Sequence, residues 1–332
     1  MTDNAAINPA PPNLAGLVWH PIGRDDLAAT VALARACLRA DGGLPFLFEP
    51  DFLQDRYFPA APGAAIGAFD LEERLGACAA VHLESGESAR RALIVGGVRP
   101  DLRRRGLGIF LMSWSQAQAR ALLAAAAVAG GSLRVATESL TEPAHHLYLI
   151  HGFQSVFEEI VMRRDLQQVL PHQPPPEGVT LTTWQPGLAE KFFQAYQAAF
   201  RERPGFPGWS AAEWISRVTE NDLIPEWSLL ARAGEEPLGF VIGTIDLTGR
   251  PAAGYVWQIG VVPEARRRGL ASALLVETMR RMQAAGAPYA DLVVHVNNPG
   301  AFHAYAGLGF ATIGRRARYE RVAESVQGPE VV

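Results

Sequence analysis

The sequence predicts a mixed α/β (α+β) protein of two tandem domains, each a mostly antiparallel mixed sheet flanked by helices, and three observations carry that reading. Val98 to Gly108 reads VRPDLRRRGLG and returns as Val261 to Ala271, VVPEARRRGLA, at an offset of 163 residues. Tyr148 to Phe153 reads YLIHGF and returns as Tyr305 to Phe310, YAGLGF, at an offset of 157 residues. Both blocks keep their order, so the repeating unit is a whole domain. Between the copies lies QQVLPHQPPPEG, residues 167–178, whose proline cluster fits neither a helix interior nor a central strand and favours an extended spacer. The domains are therefore placed at 15–166 and 179–325, and 332 residues suffice for two ordinary cores.

Each element follows from local pattern. In the second half VTLTTWQP reads as a strand and GLAEKFFQAYQAAFRER as a helix, and SAAEWISRVTEN is a second helix with Ser210 as its cap. EWSLLARAG, EPLGFVIGTIDL and AAGYVWQIGVV are three strand-like runs parted by turn residues, an antiparallel meander. A helix from about Arg268 carries Ala271, Leu274, Leu275, Thr278 and Met282 at helical spacing. DLVVHVN is a buried strand, PGAFHAYAGLG a short helix closed by glycine, and FATIGRRARYERV a last strand. The first half matches with LVWHPIG, DDLAATVALARACLRA, AAIGAFDLE, LGACAAVHLE, RALIVGGV, a helix from Arg105, LRVATES, EPAHHLYLIHG and FQSVFEEIVMRRD. The order β-α-α-β-β-β-α-β-α-β is expected twice.

Composition narrows the function. Hydrophobic residues at 48% and charged residues at 19% describe a globular chain with a real core. A net charge of -4 argues against nucleic acid or an anionic membrane as the main partner, so the arginine triplets have to be read locally. The two cysteines, Cys37 and Cys78, have neither CxxC spacing nor a histidine cluster beside them, so no metal site and no disulfide framework is expected. The opening residues carry no apolar leader, and the longest apolar stretch, residues 121–129, is too short for a membrane span. A cytoplasmic location is expected.

Taken alone, an RRRGL is a solvated turn; repeated between a strand end and an amphipathic helix, it is a device. Arg103, Arg104, Arg105, Gly106, Leu107 and Gly108 in one copy, and Arg266, Arg267, Arg268, Gly269, Leu270, Ala271 and Ser272 in the other, would aim free backbone N–H groups and the positive end of a helix at one anion. Glycine lets the backbone approach that anion, and the arginines suit a polyphosphate. No Lys-Ser or Lys-Thr follows, so this is not a Walker loop.

RRRGLG and RRRGLA fit the RxxGxG/A signature of the GNAT superfamily of N-acetyltransferases, and the chain resembles that family over nearly its whole length as two copies. The VxP strand end before each signature and NNPGAFHAYAGLGF agree with it. The resemblance implies acetyl-CoA or CoA as cosubstrate, its pyrophosphate on the Arg-Gly loop and its pantetheine arm along Ile259 and Val261, or Gly96 and Val98. It implies Tyr305, and less strongly Tyr148, as the acid that serves the leaving thiolate. Where the family commonly has a strand glutamate as base, this chain has Ile259, Trp257 and Tyr255, or Gly96, Ile94 and Ala92. The base is thus unassigned among Asp246, Glu220, His295, Glu84 and Glu138.

The resemblance implies Asn297 as a further CoA-binding residue, on the pantetheine or acceptor side; Asn297 and Asn298 stand where the first copy has Leu140 and Thr141, which favours the C-terminal domain as catalyst and the N-terminal one as CoA-binding or structural. His145 and His146 beside Tyr148 read as surface residues. Phe206, Trp209 and Trp214 in the second copy, and the stretch GGLPFLFEPDFLQDRYF in the first, suggest an apolar pocket on the acceptor side. The leading reading is an acyl-CoA dependent N-acyltransferase acting on a small-molecule or protein amine, with no nucleic-acid or membrane partner. A catalytically inactive acyl-CoA sensor is the alternative, and a nucleic-acid binder the third.

Overall fold

The computed structural model of the protein describes residues 11–12, 16–84, 90–128, 130–203, 206–220, 222–246 and 252–323; the expected domain limits at 15 and 325 lie outside them. The first copy contains β1 (Val18–Pro21), α1 (Leu27–Asp41), α2 (Pro50–Tyr57), β2 (Gly63–Phe69), β3 (Leu75–Leu83), β4 (Arg91–Val98), α3 (Leu107–Ala125), β5 (Ser132–Thr137), α4 (Glu142–Ile150) and β6 (Gln154–Asp165). The second contains β7 (Thr180–Thr183), α5 (Ala189–Phe200), α6 (Ala211–Glu220), β8 (Leu229–Ala233), β9 (Glu236–Asp246), β10 (Ala253–Val261), α7 (Leu270–Ala284), β11 (Tyr289–His295), α8 (Pro299–Gly307) and β12 (Ala311–Val322). The element order is the expected one, twice.

Local chemistry explains the boundaries. The Ser210 hydroxyl accepts from the Glu213 N–H (3.3 Å) while the Glu213 carboxylate accepts from the Ser210 N–H (2.8 Å), a capping box that starts α6. Gly309 takes φ +86° just past α8, a conformation that an L side chain resists. In α7 the buried stripe begins at Leu270 and runs through Leu274, Thr278 and Met282, with Ala271 left half-exposed.

Two compact units emerge, one running to Glu159 and taking in the strand from Gly314, the other Ile160–Ile313. In the first the sheet order is β1-β2-β3-β4-β5-β12, and in the second β6-β11-β10-β9-β8-β7. The second copy's last strand thus joins the first unit: β12 pairs antiparallel with β5 from Ala317 against Thr137 to Val322 against Ser132. Residues 160–166 and 314–323 therefore group differently from a cut at the proline cluster. Residues 167–178 form neither helix nor strand. They are held within the second unit, where Arg280 donates to the Pro171 carbonyl (3.1 Å).

Among the described pairings with a register, all are antiparallel but two. β4 runs parallel to β5 only from Arg91 to Ile94, and β10 runs parallel to β11 only from Gly254 to Val256. Past those points the strands part. β10 also bulges against β9 at Trp257, whereas β4 pairs with β3 in unbroken register. A bulge bends its strand and turns the following side chains over.

Candidate active site

At the end of each parting strand a 3-10 turn, Pro100–Leu102 or Pro263–Ala265, leads into the arginine triplet. Arg104 (φ +64°) and Gly106 (+82°) adopt left-handed conformations, as do Arg267 (+60°) and Gly269 (+79°). The first intrahelical bonds run from Phe110 N–H to the Gly106 carbonyl (3.1 Å) and from Ala273 N–H to the Gly269 carbonyl (3.0 Å). The N–H groups of Leu107, Gly108 and Ile109, and of Leu270, Ala271 and Ser272, are left facing outward as an anion site.

The three arginines of a triplet do different work. Arg103 donates through Nε to the Val98 carbonyl (3.0 Å) and through both terminal nitrogens to Asp41 (2.6 Å each). Arg266 donates to the Val261 carbonyl (3.1 Å) and the Ala199 carbonyl (3.1 Å). These first arginines brace the loop. Arg104, Arg105, Arg267 and Arg268 are exposed and form no ion pair among the described residues, so they are the ones placed to meet phosphates.

Backbone direction fixes the rest of the track. Arg99 N–H bonds to the Gly76 carbonyl (2.8 Å), so by alternation the backbone groups of Val98 and Gly96 face the edge that β5 has left. Val262 N–H bonds to the Leu238 carbonyl (3.0 Å), which turns Val261 and Ile259 to the edge left by β11.

In the first unit that edge opens into a cavity of about 820 Å³. Its lining runs from Arg103, Arg104 and Gly106 along Gly96, Gly97 and Val98 to Tyr148 and Glu138, and continues over Leu33, Leu47, Phe48, Phe52 and Leu53. The space exists because small residues surround it: Ala34 and Cys37 on α1, Cys78 on β3, Gly97 on β4. In the second unit Phe240 occupies the register position of Cys78, opposite Gly260 as Cys78 is opposite Gly97. A Cβ at Gly260 would lie 2.9–3.0 Å from Ala199, Phe240 and Phe200, and one at Gly97 would touch only Cys37 Sγ at 3.7 Å. Tyr196, Trp214 and Phe240 are buried there with ring centroids 5.0–6.2 Å apart. The aromatics that the sequence suggests as a pocket include Trp214, which is fully buried and donates to Gln258 Oε1 (3.1 Å).

A sequence model of the Acetyltransferase (GNAT) family matches residues 189–310. A mycothiol acetyltransferase of a Nocardioides species is 31% identical over 86% of this chain and 94% of its own length, and one from Frankia alni is 30% identical over 93% and 95%. The chain belongs to the GNAT family of acetyltransferases. A GCN5-related N-acetyltransferase from Sphaerobacter thermophilus matches 94% of the chain and 97% of its own at TM-score 0.70 and 25% identity. A tandem GNAT protein from the clavulanic acid pathway shares the fold at TM-score 0.58 and 17% identity, over 92% of this chain and 98% of its own. Acetyl-CoA is therefore the cosubstrate and an amine the acceptor. The cradles suit it: a Cβ at Gly106 would meet nothing within 4 Å, and the helix-end N–H groups are free to take a pyrophosphate.

In this GNAT chain the two tyrosines have different settings. Tyr148 lines the cavity, its ring 4.9 Å from that of Tyr319. Tyr305 packs with Phe310, ring centroids 6.2 Å apart. Burial pushes both phenols up to about 12, so both stay protonated donors at any working pH. Asn298 caps α8 by accepting from Ala301 N–H (3.2 Å), the same task that Thr141 performs for α4 (3.3 Å). The Asn298/Thr141 difference is thus one of capping, and Asn297 is exposed.

Of the five base candidates, Glu138 alone is gathered with the first unit's track. Glu84 pairs with Arg91 at the far end of β3, and Asp246 stands opposite Ala253, at the other end of β10 from Val261. Glu220 accepts from the Ser216 hydroxyl at the exposed end of α6. His295 closes β11, accepting from Asn297 N–H (3.1 Å). Glu138 is buried, which favours its neutral form, but Arg318, Arg316 and Arg56 outweigh that and hold it below the usual carboxylate range. Such a carboxylate is a standing negative charge and a weak base. Burial raises the Cys37 thiol and pushes Cys78 up to about 12, so neither supplies a thiolate for an acyl-enzyme. Among the described residues no cluster of three or more metal-ligating side chains occurs, and no helix is long and apolar enough to cross a membrane.

Sequence reasoning missed Arg56, the small-residue wall of the cavity and Gln173, whose amide would lie 3.1 Å from a Cβ at Gly269. Side-chain size at matched offsets was a readable signal for the wall.

Proposed function

We propose that this chain acetylates a small-molecule amine, and that transfer takes place in the cavity of the first unit. The observation that carries this reading is that one cavity joins the phosphate cradle, the open backbone edge of Gly96 and Val98, Tyr148 and an apolar wall. Acetyl-CoA laid along that edge brings its thioester oxygen to a strand N–H, which stabilises the charge that develops there. The amine attacks the thioester carbon, the C–S bond breaks, and Tyr148 donates to the sulfur. Holding amine and thioester together in a closed space supplies much of the acceleration. With Glu138 kept ionised, the amine loses its proton to water.

The sequence-based reading, with the C-terminal unit as catalyst and Tyr305 as acid, is the second reading. The family match over residues 189–310 and the edge at Ile259 and Val261 favour it. On that reading the first unit binds CoA without turnover or serves a structural role. The relatives are named for mycothiol, which supports a small molecule over a protein as acceptor. Steady-state acetyl transfer by Tyr148→Phe and Tyr305→Phe separates the readings, because a general acid is worth about 100-fold or more.

A further inference from the structure

The inner end of the cavity carries an unusual pair of charges. Glu138 Oε1 accepts from Arg56 (2.6 Å) and from Arg318. Oε2 is buried, accepts no hydrogen bond, and has Arg316 Nε at 3.6 Å. That oxygen is closed to solvent and faces Arg316, so the part of Glu138 in the site is to hold the Arg56 guanidinium through Oε1. Arg56, also in the lining, has its guanidinium carbon 5.2 Å from the centre of the Phe52 ring and makes one side-chain hydrogen bond, through a single terminal nitrogen. Its remaining N–H donors match the fork of a carboxylate. Three arginines against Glu138 and Glu159 leave this corner net positive, which favours a ligand that brings a negative charge as well as an amine. The walls beside it, Leu33, Leu47, Phe48 and Leu53, are apolar.

We infer that the acceptor is an apolar amino acid or a close analogue that carries a carboxylate, its carboxylate on Arg56 and its side chain against the α1 and α2 wall. The inference rests on transfer taking place in the first unit. In the reaction the nitrogen bonds to the acetyl carbon as the C–S bond breaks. Of the two protons the ammonium gives up, one ends on the CoA sulfur and one in solvent. Arg56 positions the acceptor, Glu138 holds Arg56, and neither moves a proton.

The test is steady-state acetylation by the full-length protein at saturating acetyl-CoA. Leucine and phenylalanine are compared with isopentylamine and 2-phenylethylamine, which lack the carboxylate, and with serine, which lacks the apolar body. The expected result is kcat/KM about 10- to 100-fold higher for the two apolar amino acids than for their amines. In Arg56→Gln that margin collapses through KM of the amino acid, with KM for acetyl-CoA unmoved; Arg56→Lys, which keeps the charge and loses the fork, keeps part of it. No margin, a margin that survives Arg56→Gln, or no acetylation of leucine or phenylalanine overturns the inference. Transfer that persists when Cys78→Phe fills the cavity shows instead that the first-unit reading has failed.

Discussion

The two copies share a phosphate cradle whose left-handed residues differ by only a few degrees, +64° and +82° against +60° and +79°. Behind the cradles they diverge. The first unit has a cavity bounded by Cys37, Cys78 and Gly97; the second has Phe200, Phe240 and Gly260 packed together. The cradle is open above Gly106, whereas Gln173 lies against Gly269. A short sequence signature fixes the loop because its torsions are local. The volume behind it depends on residue size at positions distant in sequence, so identical signatures stand before unlike sites.

The ring stack should prove structural and the cavity functional. Trp214→Ala removes a fully buried indole and is expected to cost about 3–5 kcal/mol in urea denaturation, with transfer intact wherever the protein remains folded. Cys78→Phe copies the second unit into the first; kcat/KM is expected to fall about 100-fold or more through misplaced reactants, with thermal stability little changed. Replacing Arg104 and Arg105 together with Ala removes two exposed phosphate partners. KM for acetyl-CoA should rise about tenfold at low salt and less at high salt, and the Arg267/Arg268 pair should matter less to turnover. The smallest effect is on pH. Because burial lifts Tyr148 to about 12, its protonated form persists as pH rises through 10, and kcat should show no descending limb there. A limb near 10 would place the acid in solvent.

Much of this was legible in sequence. VRPDLRRRGLG and its repeat gave the loop, the helix start and the ligand class, because helix-end N–H groups and glycine torsions are near-neighbour properties. The alternation of VFEEIVMRRD and TIGRRARYERV identified β6 and β12 as strands but not their partners. Strand pairing is long-range, and both strands present similar faces. The bulge at Trp257 left no local mark, since tryptophan there fits a regular strand equally well. Arg103 and Arg266 looked like phosphate ligands because charge is visible in sequence; their bonds to Val98, Asp41, Val261 and Ala199 are not. Glu138 was one of five carboxylate or imidazole candidates until the structure put it in the cavity lining beside Arg56, with Arg316 and Arg318 behind it.

The assignment of chemistry to the first unit is tested most directly by acetyl transfer rates of Tyr148→Phe and Tyr305→Phe, measured side by side with CoA binding to each. The expected result is a drop in kcat of about 100-fold for Tyr148→Phe and less than about threefold for Tyr305→Phe, with CoA binding kept in both. The reverse pattern would contradict the assignment and place the reaction in the second unit.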